Sequence, residues 1–174
     1  MDLKLITDKE YAQYIFTQGV FTNDRNSKNH TIQQFELAWK SWLGFFVMYK
    51  NEDPVLFSGI REFGIHARIF DRYMVFPEHR RNGLRANEYV QEIVNELINH
   101  VPTHTPFFSI ERVNRRRTTI NTTKSINKVL PKDKQFHVLE GMYETAPNSW
   151  QNISIQKPHS INLPRKIGRQ TNAL

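Results

Sequence analysis

A short basic turn in the middle of the chain has the residue types of an anion-binding site. The apolar stretch at residues 73 to 76 ends at Pro77, and Arg80, Arg81 and Gly83 follow before a helical pattern begins. Free backbone N–H groups and the positive end of the helix dipole would point at such a turn. Arginine side chains would add charge-assisted hydrogen bonds to phosphate oxygens. The turn therefore predicts a site for a phosphorylated cofactor or substrate, and a solvated connection is the alternative.

The helix after the turn is predicted from an apolar stripe that repeats every three or four residues. The stripe consists of Ala86, Tyr89, Val90, Ile93, Val94, Leu97 and Ile98. Pro102 ends the pattern, because proline cannot continue a helix. The turn is thus predicted to open onto a helix N-terminus.

The elements on either side of the turn predict a mixed sheet. Residues 45 to 50 and 55 to 61 are two apolar runs around a short turn, which is typical of an antiparallel hairpin. A third strand is predicted at residues 65 to 75 and a fourth at residues 106 to 114, beyond the helix. A strand, a helix and a strand in this order require parallel pairing and a right-handed connection. The other predicted elements are a strand at residues 3 to 7, helices at 8 to 18, 31 to 42 and 115 to 130, and strands at 136 to 144 and 150 to 156.

This order of elements, with the basic turn at its centre, resembles the GNAT superfamily of N-acetyltransferases. The family signature is Arg/Gln-x-x-Gly-x-Gly/Ala at the start of the helix, and Arg80 and Gly83 occupy its first two positions. Arg85 stands at the third position, where glycine or alanine is expected. Asn114 fits a family asparagine at the end of the next strand, whereas Asn121 stands where many members have a tyrosine. The resemblance implies an α/β (α+β mixed sheet) fold with six or seven strands and about four helices.

The resemblance also implies acetyl-CoA as co-substrate, with its pyrophosphate held by the backbone of the turn. The acetyl and pantetheine groups would lie along the preceding strand. The implied cofactor-binding residues are Tyr73, Met74, Val75, Arg80, Arg81, Asn82, Gly83, Leu84, Arg85 and Asn114. The predicted enzyme transfers an acetyl group to an amine, either a small molecule or a protein, and needs no metal ion.

Acetyl transfer requires a neutral amine and therefore a base, and the resemblance implies that the base lies on the strand before the turn, here the third strand. Asp71 is the carboxylate on that strand, and the period-two rule places it on the same face as Tyr73. A salt bridge from Asp71 to Arg68 or Arg72 is the structural alternative. Glu111 on the adjacent strand is the second candidate base.

The leaving thiolate of CoA requires a proton, and Asn121 does not supply one as a tyrosine would. Tyr143 or Tyr73 is the candidate donor, with bulk water as the alternative. Histidines are not assigned a catalytic role. His100 and His104 are separated by Pro102, which prevents one helix face from presenting both to a metal.

The N-terminal third predicts two helices joined by a polar loop. Asp8 and Thr31 are the predicted N-caps, and Gly19 is the predicted end of the first helix. In the resembling family, this helix–loop–helix lies over the acceptor pocket. Residues 22 to 30 are therefore a candidate specificity loop, and an ordinary surface loop is the alternative.

Length and composition predict one domain with a short tail. The chain has 174 residues, with 12 Phe and 3 Trp for a core. Residues 1 to 157 are the predicted domain, and residues 158 to 174 are predicted to be a basic, irregular tail. The absence of cysteine excludes disulfides and Cys-ligated zinc. No signal-peptide pattern or run of about 20 apolar residues occurs, so a soluble, cytoplasmic protein without membrane association is expected.

The formal charge of +7 leaves two further hypotheses open. Arg115, Arg116 and Arg117 could approach the phosphates of CoA, recruit a nucleic-acid or acidic-protein substrate, or lie in solvent. The basic tail could bind nucleic acid weakly. The alternatives to an active acetyltransferase are a catalytically degenerate GNAT-like binding domain and a basic nucleic-acid-binding or nucleic-acid-modifying protein. A homodimer is compatible with the sequence.

Overall fold

The computed structural model describes residues 1–21, 28–81, 86–110 and 116–167. Within these ranges the chain forms nine strands, five α-helices and a 3-10 turn at Lys132–Lys134. The strands are β1 (Asp2–Leu5), β2 (Trp42–Lys50), β3 (Asp53–Phe63), β4 (His66–Val75), β5 (Thr105–Ile110), β6 (Phe136–Val138), β7 (Met142–Ala146), β8 (Ser149–Gln156) and β9 (Arg165–Lys166). The helices are α1 (Lys9–Phe21), α2 (Lys28–Ser41), α3 (Pro77–Arg81), α4 (Ala86–Asn99) and α5 (Arg116–Asn127).

The strands form one mixed sheet in the order β1-β2-β3-β4-β5-β8-β7-β9, with β6 also paired to β8. Strands β4 and β5 are parallel, and the other pairs are antiparallel. The predicted hairpin, crossover and mixed sheet are therefore confirmed. The strand count exceeds the prediction partly because the expected strand at residues 136 to 144 is two strands. They are separated near Gly141, whose φ of 84° is outside the range of an extended strand.

Helices cover the two faces of the sheet, and each face has its own core. On the α4 face, Tyr89, Ile93 and Leu97 of the predicted stripe pack against β2, β3 and β4. Each fully buried side chain of this size contributes about 1.5–3 kcal/mol. On the opposite α1–α2 face, aromatic rings such as Phe16 and Phe35 pack together with a centroid distance of 5.5 Å. The alternation of strand residues between these two cores holds the sheet in the middle of the molecule.

Two helix boundaries differ from the prediction. Asp8 caps α1 as expected, since its Oδ1 accepts a 2.9 Å hydrogen bond from the Tyr11 N–H. Gly19 does not end α1, because the helix continues to Phe21. A Cβ at Gly19 would overlap the Phe57 ring, so the glycine allows the helix to lie close to the sheet. Helix α2 begins at Lys28, which puts Thr31 inside the helix rather than at its cap.

The segment that follows β8 packs on the domain as far as residue 167. Its backbone is mostly irregular, but Ile161 is buried and Leu163 packs against the same apolar cluster. The Glu144 N–H donates to the Pro164 carbonyl at 2.9 Å, and β9 pairs with β7. The first ten residues of the predicted tail thus pack on the part of the α1–α2 face formed by β5, β8 and β7.

Candidate active site

Strands β4 and β5 diverge and leave an opening in the sheet. They are paired at only three positions, His66 with Thr105, Ala67 with Pro106 and Arg68 with Phe107. The ladder between β4 and β5 ends at Arg68, while β5 continues along β8 to Ile110. The opening lies beside the C-terminal half of β4, which leads directly into α3.

The stretch predicted to hold pyrophosphate is described only in part. Its first residues form the one-turn helix α3 rather than an open turn, and this helix includes the backbones of Arg80 and Arg81. Residues 82 to 85, with Asn82, Gly83, Leu84 and Arg85, lie outside the described residues. Glu111, Asn114 and most of the candidate specificity loop at residues 22 to 30 also lie outside them.

Two bulges interrupt β4 beside the opening. Its register against β3 shifts once between Phe57 and Gly59 and again between Gly59 and Arg61. Phe70 and Arg72 have φ values of 58° and 54°, in the left-handed region that costs a non-glycine residue about 1–3 kcal/mol. Bulges place two residues of one strand opposite a single residue of its neighbour. The period-two rule therefore fails in this strand.

Because of the bulges, Asp71 and Tyr73 lie on opposite faces, and the prediction that they share one face was wrong. Tyr73 packs on the α4 face, where its ring meets Phe70 at a centroid distance of 5.6 Å. Met74 packs on the α1–α2 face and Val75 on the α4 face. All three residues predicted to line the pantetheine path nevertheless lie beside the opening.

Asp71 is buried, with 5% of its surface exposed, and both of its carboxylate oxygens have partners. Its Oδ2 accepts a 2.8 Å hydrogen bond from Trp42 Nε1. Its Oδ1 lies 3.6 Å from Arg68 Nη1, which is the salt bridge considered as the alternative to a catalytic role. Gly59 is the cross-strand partner of Asp71, and its missing side chain leaves the space that the Trp42 indole occupies.

Sequence reasoning missed the polar side chains that continue this contact across the opening. Gln151 of β8 is 2% exposed, and its Oε1 accepts a 3.2 Å hydrogen bond from Arg68 Nη2. The same oxygen accepts a hydrogen bond from the Ser109 hydroxyl of β5, and Gln151 Nε2 donates to Ser149 Oγ at 3.1 Å. Gln151, Ile153 and Ile155 alternate along β8, so the sequence could have indicated that Gln151 is buried with them. A buried polar side chain requires hydrogen-bond partners.

Tyr143 lies on β7, directly opposite Gln151. It is buried in the cluster that Ile161 covers, and the Arg165 guanidinium lies 5.9 Å from its ring centre. Three strand spacings separate β7 from β4, or about 14 Å between backbones. Tyr143 and Asp71 are therefore on the same face of the sheet but not in contact. Asn121 is exposed on α5.

The basic residues of α5 differ in their surroundings. Arg116 Nη1 donates to the Leu139 carbonyl at 3.0 Å and so connects the start of α5 to the segment between β6 and β7. Arg117 is exposed. Across the described ranges, no group of three or more His, Cys, Asp or Glu side chains could hold a metal ion. No helix within them is long and apolar enough to cross a membrane.

Comparison with solved structures reveals similar folds in bacterial acetyltransferases. A point mutant of the spermidine N-acetyltransferase SpeG from Vibrio cholerae matches with a TM-score of 0.58, covering 90% of this chain and 94% of that one at 10% identity. The aminoglycoside 6'-N-acetyltransferase from Enterococcus faecium gives 0.57, with 92% and 100% covered at 11% identity. The chain has the GNAT fold.

A third structure with the GNAT fold has a ligand bound. It is yncA from Salmonella typhimurium, described with its cofactor acetyl-CoA, and it matches with a TM-score of 0.51, covering 92% of this chain and 96% of that one at 14% identity. No protein-family model and no curated protein matches the sequence. At these identities the similarity establishes the GNAT fold, while function must be argued from the site.

Proposed function

We propose that this chain is an N-acetyltransferase that transfers an acetyl group from acetyl-CoA to an amine. The observation that carries the proposal is the opening between β4 and β5, which in this GNAT fold lies directly before α3. An extended ligand such as pantetheine can bind along a strand through its amides, and the part of β4 beyond the ladder runs beside the opening. The acetyl-CoA-containing structure of yncA supports this choice of ligand.

The proposed cofactor path follows β4 into the stretch beyond it. Tyr73, Met74 and Val75 would contact the acetyl and pantetheine groups from the edge of the opening. Arg80, Arg81 and residues 82 to 85 would hold the pyrophosphate, and Asn114 would approach from the other side. These assignments rest on the sequence resemblance and on the position of β4 beside the opening.

In the proposed reaction, the nitrogen of a neutral amine attacks the thioester carbon. The C–S bond then breaks, the nitrogen loses a proton, and the CoA thiolate gains one. Asp71 is the proposed base, with Glu111 as the second candidate. Because only 5% of the Asp71 surface is exposed, it would act through a water molecule rather than by direct contact with the amine. Asp71→Asn would then slow transfer most at neutral pH, where the amine is protonated.

The proposed proton donor to the thiolate is a tyrosine of the sheet. Tyr143 and Tyr73 are the candidates, and they lie on opposite faces. Tyr143→Phe and Tyr73→Phe distinguish them, because only loss of the true donor would lower kcat without changing the affinity for acetyl-CoA. Equal rates for both variants and the wild type would indicate water as the donor.

Transfer can be measured through the release of free CoA. The chain contains no cysteine, so a thiol reagent reports CoA without background from the protein. We would offer acetyl-CoA with spermidine, an aminoglycoside or a peptide with a free N-terminus as the amine. The proposal predicts CoA release that requires both protein and amine. Acetyl-CoA that binds but is not consumed with any of these amines would favour the catalytically degenerate binding domain.

A further inference from the structure

A continuous set of polar side chains crosses the opening on the α1–α2 face. It runs from Asp71 and Arg68 on β4 to Gln151 on β8, and Ser109 on β5 joins it at the same Gln151 oxygen. We call Arg68, Ser109 and Gln151 the brace. Its two long side chains are almost fully buried. Hydrogen bonds in such surroundings are stronger than in water and costly to leave unmade.

The brace is located where the two parallel strands separate. Arg68 is the last residue of β4 that pairs with β5, and the ladder before it has only three pairs. Its guanidinium reaches past β5 to β8, the next strand of the sheet. Ser109 lies two residues beyond the last paired position of β5. The brace thus ties β4, β5 and β8 together immediately beyond the last backbone pair.

The chemistry of the brace gives the opening a defined geometry. Ile153 and Ile155 continue the row of Gln151 along β8, so an apolar side chain would fit the pattern of this strand. Apolar contacts tolerate a range of separations, whereas hydrogen bonds hold their donor and acceptor within narrow limits of distance and angle. A glutamine bonded to both β4 and β5 therefore fixes how these strands are placed relative to β8.

We propose that Arg68, Ser109 and Gln151 are positioning residues that set the width of the opening between β4 and β5. None of them is assigned contact with the reacting atoms. They act through β4 and β5, whose separation decides whether an extended cofactor fits between the strands. This inference rests on the proposed acetyl-CoA site, but the brace itself can be tested without ligand.

The experiment compares three glutamine variants. Gln151→Leu removes the brace at similar volume, and Gln151→Glu keeps an oxygen acceptor for Arg68. Gln156→Leu is the matched control, because Gln156 is on the same strand and donates instead to the Lys134 carbonyl at 3.3 Å. Ser109→Ala serves as a milder variant if Gln151→Leu does not fold, since it removes one hydrogen bond and leaves Gln151 bonded to Arg68.

Two measurements are made on each folded variant. Hydrogen exchange is followed in peptides covering β4 and β5, and acetyl-CoA binding is followed by calorimetry. For Gln151→Leu we expect exchange at the β4–β5 ladder to be at least tenfold faster and acetyl-CoA to bind at least tenfold more weakly. Ser109→Ala should show smaller changes in the same direction. Gln156→Leu should stay within about threefold of the wild type in both, and Gln151→Glu should fall between Gln156→Leu and Gln151→Leu, because it keeps the acceptor for Arg68 but adds a buried carboxylate near Asp71.

The two readouts separate the inference from the proposed function. If the wild-type protein bound no acetyl-CoA, the proposed cofactor would be wrong. Hydrogen exchange would still test whether the brace holds β4 and β5 together. If hydrogen exchange at the β4–β5 ladder were unchanged in Gln151→Leu, the proposed role of the brace would be wrong, whatever the affinity for acetyl-CoA. Faster exchange with unchanged acetyl-CoA affinity would show that the brace stabilises the ladder but does not set the width of the opening, which also contradicts the proposal.

Discussion

Asp71 and Arg68 form a buried ion pair on the α1–α2 face of the sheet, where each neutralises the charge of the other. Removal of one member of a buried ion pair leaves the other charged and without compensation, which typically costs about 3–5 kcal/mol. We expect Asp71→Asn to lower the free energy of unfolding by about 3 kcal/mol in a denaturant titration. The amide can still accept the Trp42 hydrogen bond, so the loss would report mainly the missing charge.

A double variant provides the control for this ion pair. Arg68→Gln combined with Asp71→Asn removes both charges while keeping an amide donor at position 68 and an acceptor for Trp42, and we expect it to recover part of the lost stability. Asp53→Asn changes an exposed carboxylate at the start of β3 and should leave the free energy of unfolding unchanged. If Asp71→Asn were as stable as the wild type, the buried ion pair would not exist as described, and the account of Asp71 would need revision.

Gly59 provides a second test at the residue scale. A Cβ at this position would overlap the Trp42 indole, which is packed against other rings and stacks on Phe45 at a centroid distance of 5.0 Å. Overpacking of this kind costs about 1–3 kcal/mol. Gly59→Ala should therefore destabilise the protein by that amount in thermal unfolding, whereas Glu62→Ala on the exposed part of β3 should not. If Gly59→Ala were as stable as the wild type, the Trp42 indole could move away from Asp71 with little loss of stability.

Among the elements, β4 combines a structural and a proposed functional role. Its first half holds β5 through the short parallel ladder, and its second half lies beside the opening. The bulges at Phe70 and Arg72 separate these halves and turn Asp71 away from Tyr73. Strain at these two residues is retained because the surrounding sheet and both cores hold β4 in place.

The segment after β8 is an element that the domain needs for one of its cores. Ile161 packs on a cluster that contains Phe107, Tyr143 and Ile153. We expect Ile161→Ala to cost about 2–3 kcal/mol, as is usual when a buried isoleucine is truncated. Chemical denaturation would measure it, with Asn162→Ala, an exposed neighbour, as control. Equal stability of the two variants would mean that the segment does not close this core.

Patterns of repeating residues predicted the elements well and their irregularities poorly. The stripe from Tyr89 to Ile98 follows the helical period, and the hairpin of β2 and β3 was predicted from two apolar runs around a short turn; the structure confirms both. The bulges in β4 were not predictable, because alternation assumes one residue per step and Phe70 and Arg72 break that rule. Strand β9 has only two residues, too few for any period.

The sequence indicated the candidate residues that lie close to the basic turn along the chain, but not those brought near it by strand pairing. Asp71, Tyr73 and the strand that carries them were found because they precede the basic turn in sequence. Gln151 and Ser109 were not found, since they approach Arg68 only after β8 has paired with β5. Contacts between distant strands depend on pairing register, which a single sequence does not reveal.

At the scale of the whole molecule, one sheet separates two faces with different roles. The α4 face is a continuous apolar core, while the α1–α2 face has its apolar clusters on either side of the brace. The proposed acetyl-CoA site lies where the sheet opens between these faces.

Binding of acetyl-CoA, measured by calorimetry, tests the central claim most directly. We predict saturable binding at one site per chain, weakened by about 1–3 kcal/mol in Arg80→Ala and in Gly83→Val, because these remove a phosphate partner or crowd the phosphate. Arg85→Gly should keep binding, and Arg61→Ala, an exposed arginine on β3, should leave it unchanged. If folded wild-type protein gave no binding heat and no thermal protection with acetyl-CoA or CoA, the chain would have the GNAT fold without its cofactor site, and the proposed function would be wrong.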